Sequence, residues 1–103
     1  MKKKYGEIEI LGIPFECRIY GAVADRDDLG TSNFDLQVLT FAEGLRESSL
    51  DRSIMHEIIE ITKKGLRLKI THDDIERMDM AICQTLKANG VDLSPLRKKV
   101  TGK

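Results

Sequence analysis

The spacing of apolar residues changes partway along this chain, and that change limits the folds open to it. Up to about Phe41 they recur at every second position; from about Leu50 they recur at every third or fourth. A period of two belongs to a strand with one buried face, and a period near 3.6 to an amphipathic helix. Ile8 and Ile10 oppose Glu7 and Glu9, and Phe15, Cys17 and Ile19 oppose Glu16 and Arg18. These runs predict an antiparallel hairpin turning at Gly12-Ile13-Pro14. Residues 24–34 are polar and turn-rich and read as a loop. Residues 35–41 read as a third strand.

The second half predicts helices. Ser48 or Ser49 can cap a helix running to about Lys64, with Leu50, Ile54, Ile58 and Ile61 as its stripe, Lys63 and Lys64 at its negative end and Gly65 as the left-handed cap. Leu66 to Ile70 form a short extended link. Thr71 and Asp74 have capping-box spacing and open a second helix, with Ile75, Met78, Ile82 and Leu86 as its buried stripe and Asn89-Gly90 as its stop. Ser94-Pro95 can start one more turn before a basic, frayed tail over residues 97–103. Three strands followed by two helices define an α+β class: one domain over residues 1–103, with a small antiparallel sheet of about three strands covered on one face by two helices. The seven residues Ile54, Ile58, Ile61, Ile75, Met78, Ile82 and Leu86 are expected to pack between helices and sheet.

Charge and composition narrow the function classes. Lys+Arg and Asp+Glu both number 17 in 103 residues, so no net positive excess exists for phosphate binding, and direct nucleic-acid binding is not expected. Trp is absent and aromatics are 5%, which leaves few base-stacking surfaces. No apolar run approaches the ~18 residues of a membrane span, and the basic start Met1-Lys2-Lys3-Lys4 is followed by no secretory h-region. A cytoplasmic protein is expected, with Cys17 and Cys83 as free thiols.

One constellation can carry chemistry. His56-Glu57-Ile58-Ile59-Glu60 lies in the middle of the first helix. Residues four apart are roughly 40° apart around a helix, so His56 and Glu60 project side by side and can hold one metal ion. Glu57 projects from an adjacent part of the polar face, where it can reach a water on that ion. The pentapeptide is one residue from the HExxH of zinc proteases, with Glu60 at the second histidine position. Imidazole and carboxylate are both ordinary zinc ligands. A third ligand must come from elsewhere: His72, Glu76 and Cys83 share a stripe of the second helix and any of them can complete the set, with Asp79 as a further carboxylate. The plain alternative is that His56 and Glu60 are a solvated helix face, His72 a polar first-turn residue and Cys83 a small core filler.

The stretch from Leu50 through Leu86 resembles the short metallopeptidase-like proteins of phages and prophages related to the ImmA/IrrE group. The resemblance is carried by Leu50-Asp51-Arg52-Ser53-Ile54-Met55-His56-Glu57-Ile58-Ile59-Glu60, by Leu66 and Leu68, by His72-Asp73-Asp74-Ile75-Glu76-Arg77 and by Leu86-Lys87-Ala88-Asn89. Ile8 to Gly12 resemble the opening strand of that group, and Leu36 to Leu39 the strand that precedes its active helix. The resemblance implies a minimal zincin-like fold and zinc as cofactor. It implies His56, Glu60 and His72 as metal ligands, Glu57 as catalytic base, and a peptide or protein as substrate or partner. Peptidases of that group cleave helix-turn-helix repressors of mobile elements. The alternative is a non-catalytic, phage-derived binding or accessory module that retains the scaffold, with Met55, Met78 and Met80 contributing to an interface.

Overall fold

The computed structural model describes residues 3–20 and 30–102. Met1 and Lys2 of the basic start and residues 24–29 of the expected loop lie outside the described residues. The chain is α+β, with strands β1 (Lys3–Ile10), β2 (Ile13–Tyr20), β3 (Gly30–Asn33) and β4 (Val38–Ala42) and helices α1 (Glu47–Leu66), α2 (His72–Ala88) and α3 (Ser94–Thr101).

The sheet has four strands rather than three, in the order β1-β2-β4-β3, and it is mixed rather than antiparallel. β1 and β2 form the expected hairpin, and β3 and β4 form a second one. The second hairpin docks with β4 parallel to β2, pairing Cys17 with Leu39 and Ile19 with Phe41. The added strand, Gly-Thr-Ser-Asn, has no apolar side chain, so no period of two announces it; pairing with β4 makes it a strand. The first hairpin turns at Leu11 and Gly12, both with positive φ (55° and 77°), while Ile13 and Pro14 already belong to β2. Two consecutive positive φ values suit the right-handed twist of the flanking strands.

Ile8, Ile10, Phe15, Cys17, Leu39 and Phe41 point to one face of the sheet and are buried with Ile54, Ile61 and Val100. Glu16 and Arg18 pair on the other face. The covering layer is α1 and α3, not the two long helices. Among the described residues α2 packs against α1 alone, so α1 is buried on two sides and α2 forms an outer layer. Of the seven expected core residues, Ile54, Ile61 and Ile75 are buried, while Ile58, Ile82 and Leu86 are half-buried and Met78 is 40% exposed. The stripe that α2 turns inward is Ile75, Asp79 and Cys83, which rotates Met78 outward.

The helix ends differ from expectation in one case and follow it in the other. Neither Ser48 nor Ser49 caps α1; Arg46 precedes it without a side-chain bond, and the left-handed C-cap is Arg67, not Gly65. Gly65 lies inside the last turn, where a Cβ would meet Leu11 Cδ1 at 2.5 Å and the Phe34 ring at 3.3 Å. At α2 the capping box forms in both directions: Asp74 N–H donates to Thr71 Oγ1 and Thr71 N–H donates to Asp74 Oδ2. The tail expected to fray is instead α3. Its Val100 is fully buried and its Arg97 donates to both oxygens of buried Asp51 at 2.7 and 2.8 Å. The α3 backbone crosses β1 at Gly6, where any Cβ would collide with the Lys99 carbonyl.

Ile54→Ala is expected to lower unfolding free energy by about 2–5 kcal/mol, the range for truncating a buried isoleucine. Met78→Ala, on the outer side of α2, is expected to change it by less than about 0.5 kcal/mol. Urea unfolding checks both, and a larger loss for Met78→Ala would contradict this rotation of α2.

Candidate metal centre

The polar face of α1 does not open straight to solvent. It forms the floor of a cleft of about 760 Å³, walled on one side by β3 (Gly30, Thr31, Ser32) and on the other by α2 (His72, Glu76, Asp79). Arg52, Ser53, His56, Glu57, Glu60 and Lys64 line the floor. Three facts of local structure create this arrangement. The i, i+4 spacing stacks Arg52, His56, Glu60 and Lys64 in one row. The capping box starts α2 at His72, so that residue stands at the very end of the helix. The short link after α1 returns α2 along α1, bringing His72 back beside Glu60.

His56, Glu60 and His72 converge, with one ligand atom from each lying within 4.8 Å of the others. Glu60 Oε2 is 3.4 Å from His56 Nε2 and 3.4 Å from His72 Nδ1. The two imidazoles meet edge to face with centroids 5.0 Å apart. Ligands about 2.1 Å from a tetrahedral zinc stand about 3.4 Å from one another. The Glu60 distances to both histidines match that edge, and the donor set of two imidazoles and one carboxylate suits a divalent zinc-like ion.

The remaining candidate residues fall outside this group. Glu76 accepts from His72 Nε2 at 2.8 Å, on the far side of the ring from Glu60. Asp79 is engaged at both oxygens: Oδ2 with His56 Nδ1 at 2.9 Å and Oδ1 with Arg52 Nε and Nη2 at 3.0 and 2.9 Å. Cys83 is buried, does not line the cleft, and its thiol is pushed up by desolvation, which opposes the thiolate a metal needs. Burial likewise raises Cys17 to about 11. Glu57 is buried against β3; a Cβ on Gly30 would stand 3.2 Å from its Oε2. Glycine at that position leaves room for the carboxylate between helix and strand.

Sequence reasoning missed two features. The polar wall of β3 carried no signal. Asp79 carried one that was read differently: a carboxylate midway between Ile75 and Cys83 on one stripe is buried there, and a buried charge must be paired. Compared with protein-family models, curated proteins and solved structures, the chain matches none. Among the described residues no helix is long and apolar enough to cross a membrane.

Desolvation works against the charged form of His72, but the hydrogen bonds and charges of Glu60 and Glu76 outweigh it, so its pKa lies above the ordinary 6.5. A protonated imidazole cannot ligate, so protons compete with a metal at His72 up to a higher pH than at an isolated histidine. The signs oppose each other. The raised pKa favours the metal-free fold below the unfolded-state value, and that contribution is lost as pH rises through the folded value. Metal binding gains over the same rise. If zinc binds this cluster, the increase in Tm it causes is expected to grow steadily from pH 6 to pH 8. A shift independent of pH across that window would exclude His72 as a ligand.

Proposed function

We propose that this protein is a zinc metallopeptidase-like protein of minimal zincin type, with His56, Glu60 and His72 as the metal ligands and Glu57 as the general base. The observation that carries the reading is the convergence of the two histidines on Glu60 Oε2 at 3.4 Å each, with the Glu57 carboxylate lining the same cleft. A bound zinc supplies Lewis acidity, which lowers the pKa of water and polarises a carbonyl oxygen. Glu57 takes the proton from the attacking water and returns it to the departing amine nitrogen as the peptide C–N bond breaks. Its burial against Gly30 holds the carboxylate on the cleft side of α1 and limits the water around it.

The cleft wall supports one substrate class. β3 is a terminal strand of the sheet, and Gly30, Thr31 and Ser32 line the cleft. Among the described residues no further strand pairs with β3, and the edge of such a strand offers N–H and C=O groups to an extended peptide, which it can hold without reading side chains. An extended, unstructured polypeptide is the expected substrate.

The test is zinc binding measured beside cleavage of an unfolded protein. Glu57→Gln is expected to keep zinc affinity nearly unchanged, because Glu57 is not a ligand, and to lower turnover by about 10²-fold or more. His56→Ala is expected to lose both. Wild type that binds zinc and cleaves nothing would leave the scaffold and overturn the peptidase. Failure to bind zinc at all would reduce the cluster to a polar helix face.

A further inference from the structure

Each histidine of the cluster uses both ring nitrogens. His56 turns Nε2 to Glu60 and Nδ1 to Asp79; His72 turns Nδ1 to Glu60 and Nε2 to Glu76. The two outer carboxylates differ in setting. Glu76 is 55% exposed and on the same helix as its histidine, whereas Asp79 is 4% exposed and reaches from α2 across to α1. Asp79 is also anchored from behind by Arg52, one turn before His56, which donates Nε–H and Nη2–H to Oδ1. Arg52, Asp79 and His56 thus form a chain in which each oxygen of one carboxylate has a single assigned partner.

We infer that Asp79, held by Arg52, is the positioning residue of the cleft: it keeps the imidazole proton of His56 on Nδ1 and so leaves the Nε2 lone pair facing Glu60 and His72. This rests on the metal reading of the cleft for its purpose, but not for its geometry. An ionised carboxylate can only accept, so the hydrogen bond to His56 Nδ1 requires the proton to be there. The Arg52 guanidinium compensates the buried charge and prevents the carboxylate from rotating. The tautomer presented to a metal is set by the bond its other nitrogen makes, and partners of this kind commonly carry 10–100-fold in metal affinity.

The arrangement makes an unusual demand on the isosteric variant. In Asp79→Asn the amide oxygen is the atom that can still accept from Arg52 at this position, so the amide nitrogen faces His56 Nδ1. That nitrogen donates, forces Nδ1 to accept, and moves the proton to Nε2, where it blocks the ligand position. In the double variant Arg52→Ala with Asp79→Asn the amide is free to turn its oxygen to His56 and restore the tautomer.

Nitrogen-15 NMR of the histidine rings in the metal-free protein at pH 8 reads the tautomer, and zinc titration against a competing chelator reads affinity. Wild type is expected to show His56 as the Nδ1–H form. Asp79→Asn is expected to show the Nε2–H form and about 10-fold or greater loss of zinc affinity, and the double variant to recover both in part. A merely structural role for Asp79 gives no such recovery, since the double variant removes a further ion-pair partner. The Nε2–H form in wild type overturns the inference without any variant being needed. Zinc affinity within twofold of wild type in a folded Asp79→Asn overturns it as well. A wild type that binds no zinc but shows the tautomer switch keeps the positioning role and overturns the peptidase reading instead.

Discussion

The contact between α1 and α2 is the constraint on which the candidate site depends. Among the described residues α2 meets the rest of the fold only through α1, and it buries just Ile75, Asp79 and Cys83. Two fully buried apolar side chains, with Ile82 and Leu86 half-buried, leave a helix room to slide or roll along its neighbour. Polar pairs fix it instead: Asp79 with Arg52 and His56, and Lys87 Nζ with Asp51 Oδ2 at 2.9 Å. A buried carboxylate left without its cation is costly, and Asp79 and Asp51 are both buried, so each of these pairs penalises a shift of register. The third candidate ligand, His72, is carried on the helix so fixed, at its first residue.

Asp51 extends the same logic to the C-terminal end of α2. Its buried carboxylate receives Arg97 from α3 and Lys87 from α2, and so joins all three helices at one point of α1. α3 in turn lies close on β1, where Gly6 removes the side chain that would hold it off. The sheet, α3 and the first half of α1 therefore form one packed block, with the His56–Glu60 segment on its open side and β3 beside it. The cleft is the space left because α1 is wide enough to carry apolar residues toward the sheet, ionisable ones toward α2, and Glu57 and Glu60 between.

What could be read from the sequence was mostly local. The Thr71–Asp74 capping box and the Asn89-Gly90 stop depend on a few adjacent residues, and both formed as expected. The i, i+4 relation of His56 and Glu60 is a property of any helix. Non-local choices were hidden. β3 exists through its partner β4 and has no pattern of its own. Lys98 and Lys99 gave the tail a solvated look, although Leu96, Arg97 and Val100 are the positions that turn inward. The rotation of α2 was hidden because Asp79, beside the apolar stripe, takes the inward position paired with Arg52 and His56 and turns Met78 out, while Ile75 stays buried and Ile82 and Leu86 half-buried. Gly65 resembled a helix cap and is a packing gap for Leu11 and Phe34.

The most direct test of the account is X-ray absorption at the zinc edge on protein loaded with one equivalent of zinc. The account predicts two imidazole nitrogens and carboxylate oxygen at about 2.0–2.2 Å, with no sulfur shell near about 2.3 Å. A sulfur shell would place Cys83 in the site, and a single imidazole would remove either His56 or His72 from it. Either result would contradict the ligand set of His56, Glu60 and His72.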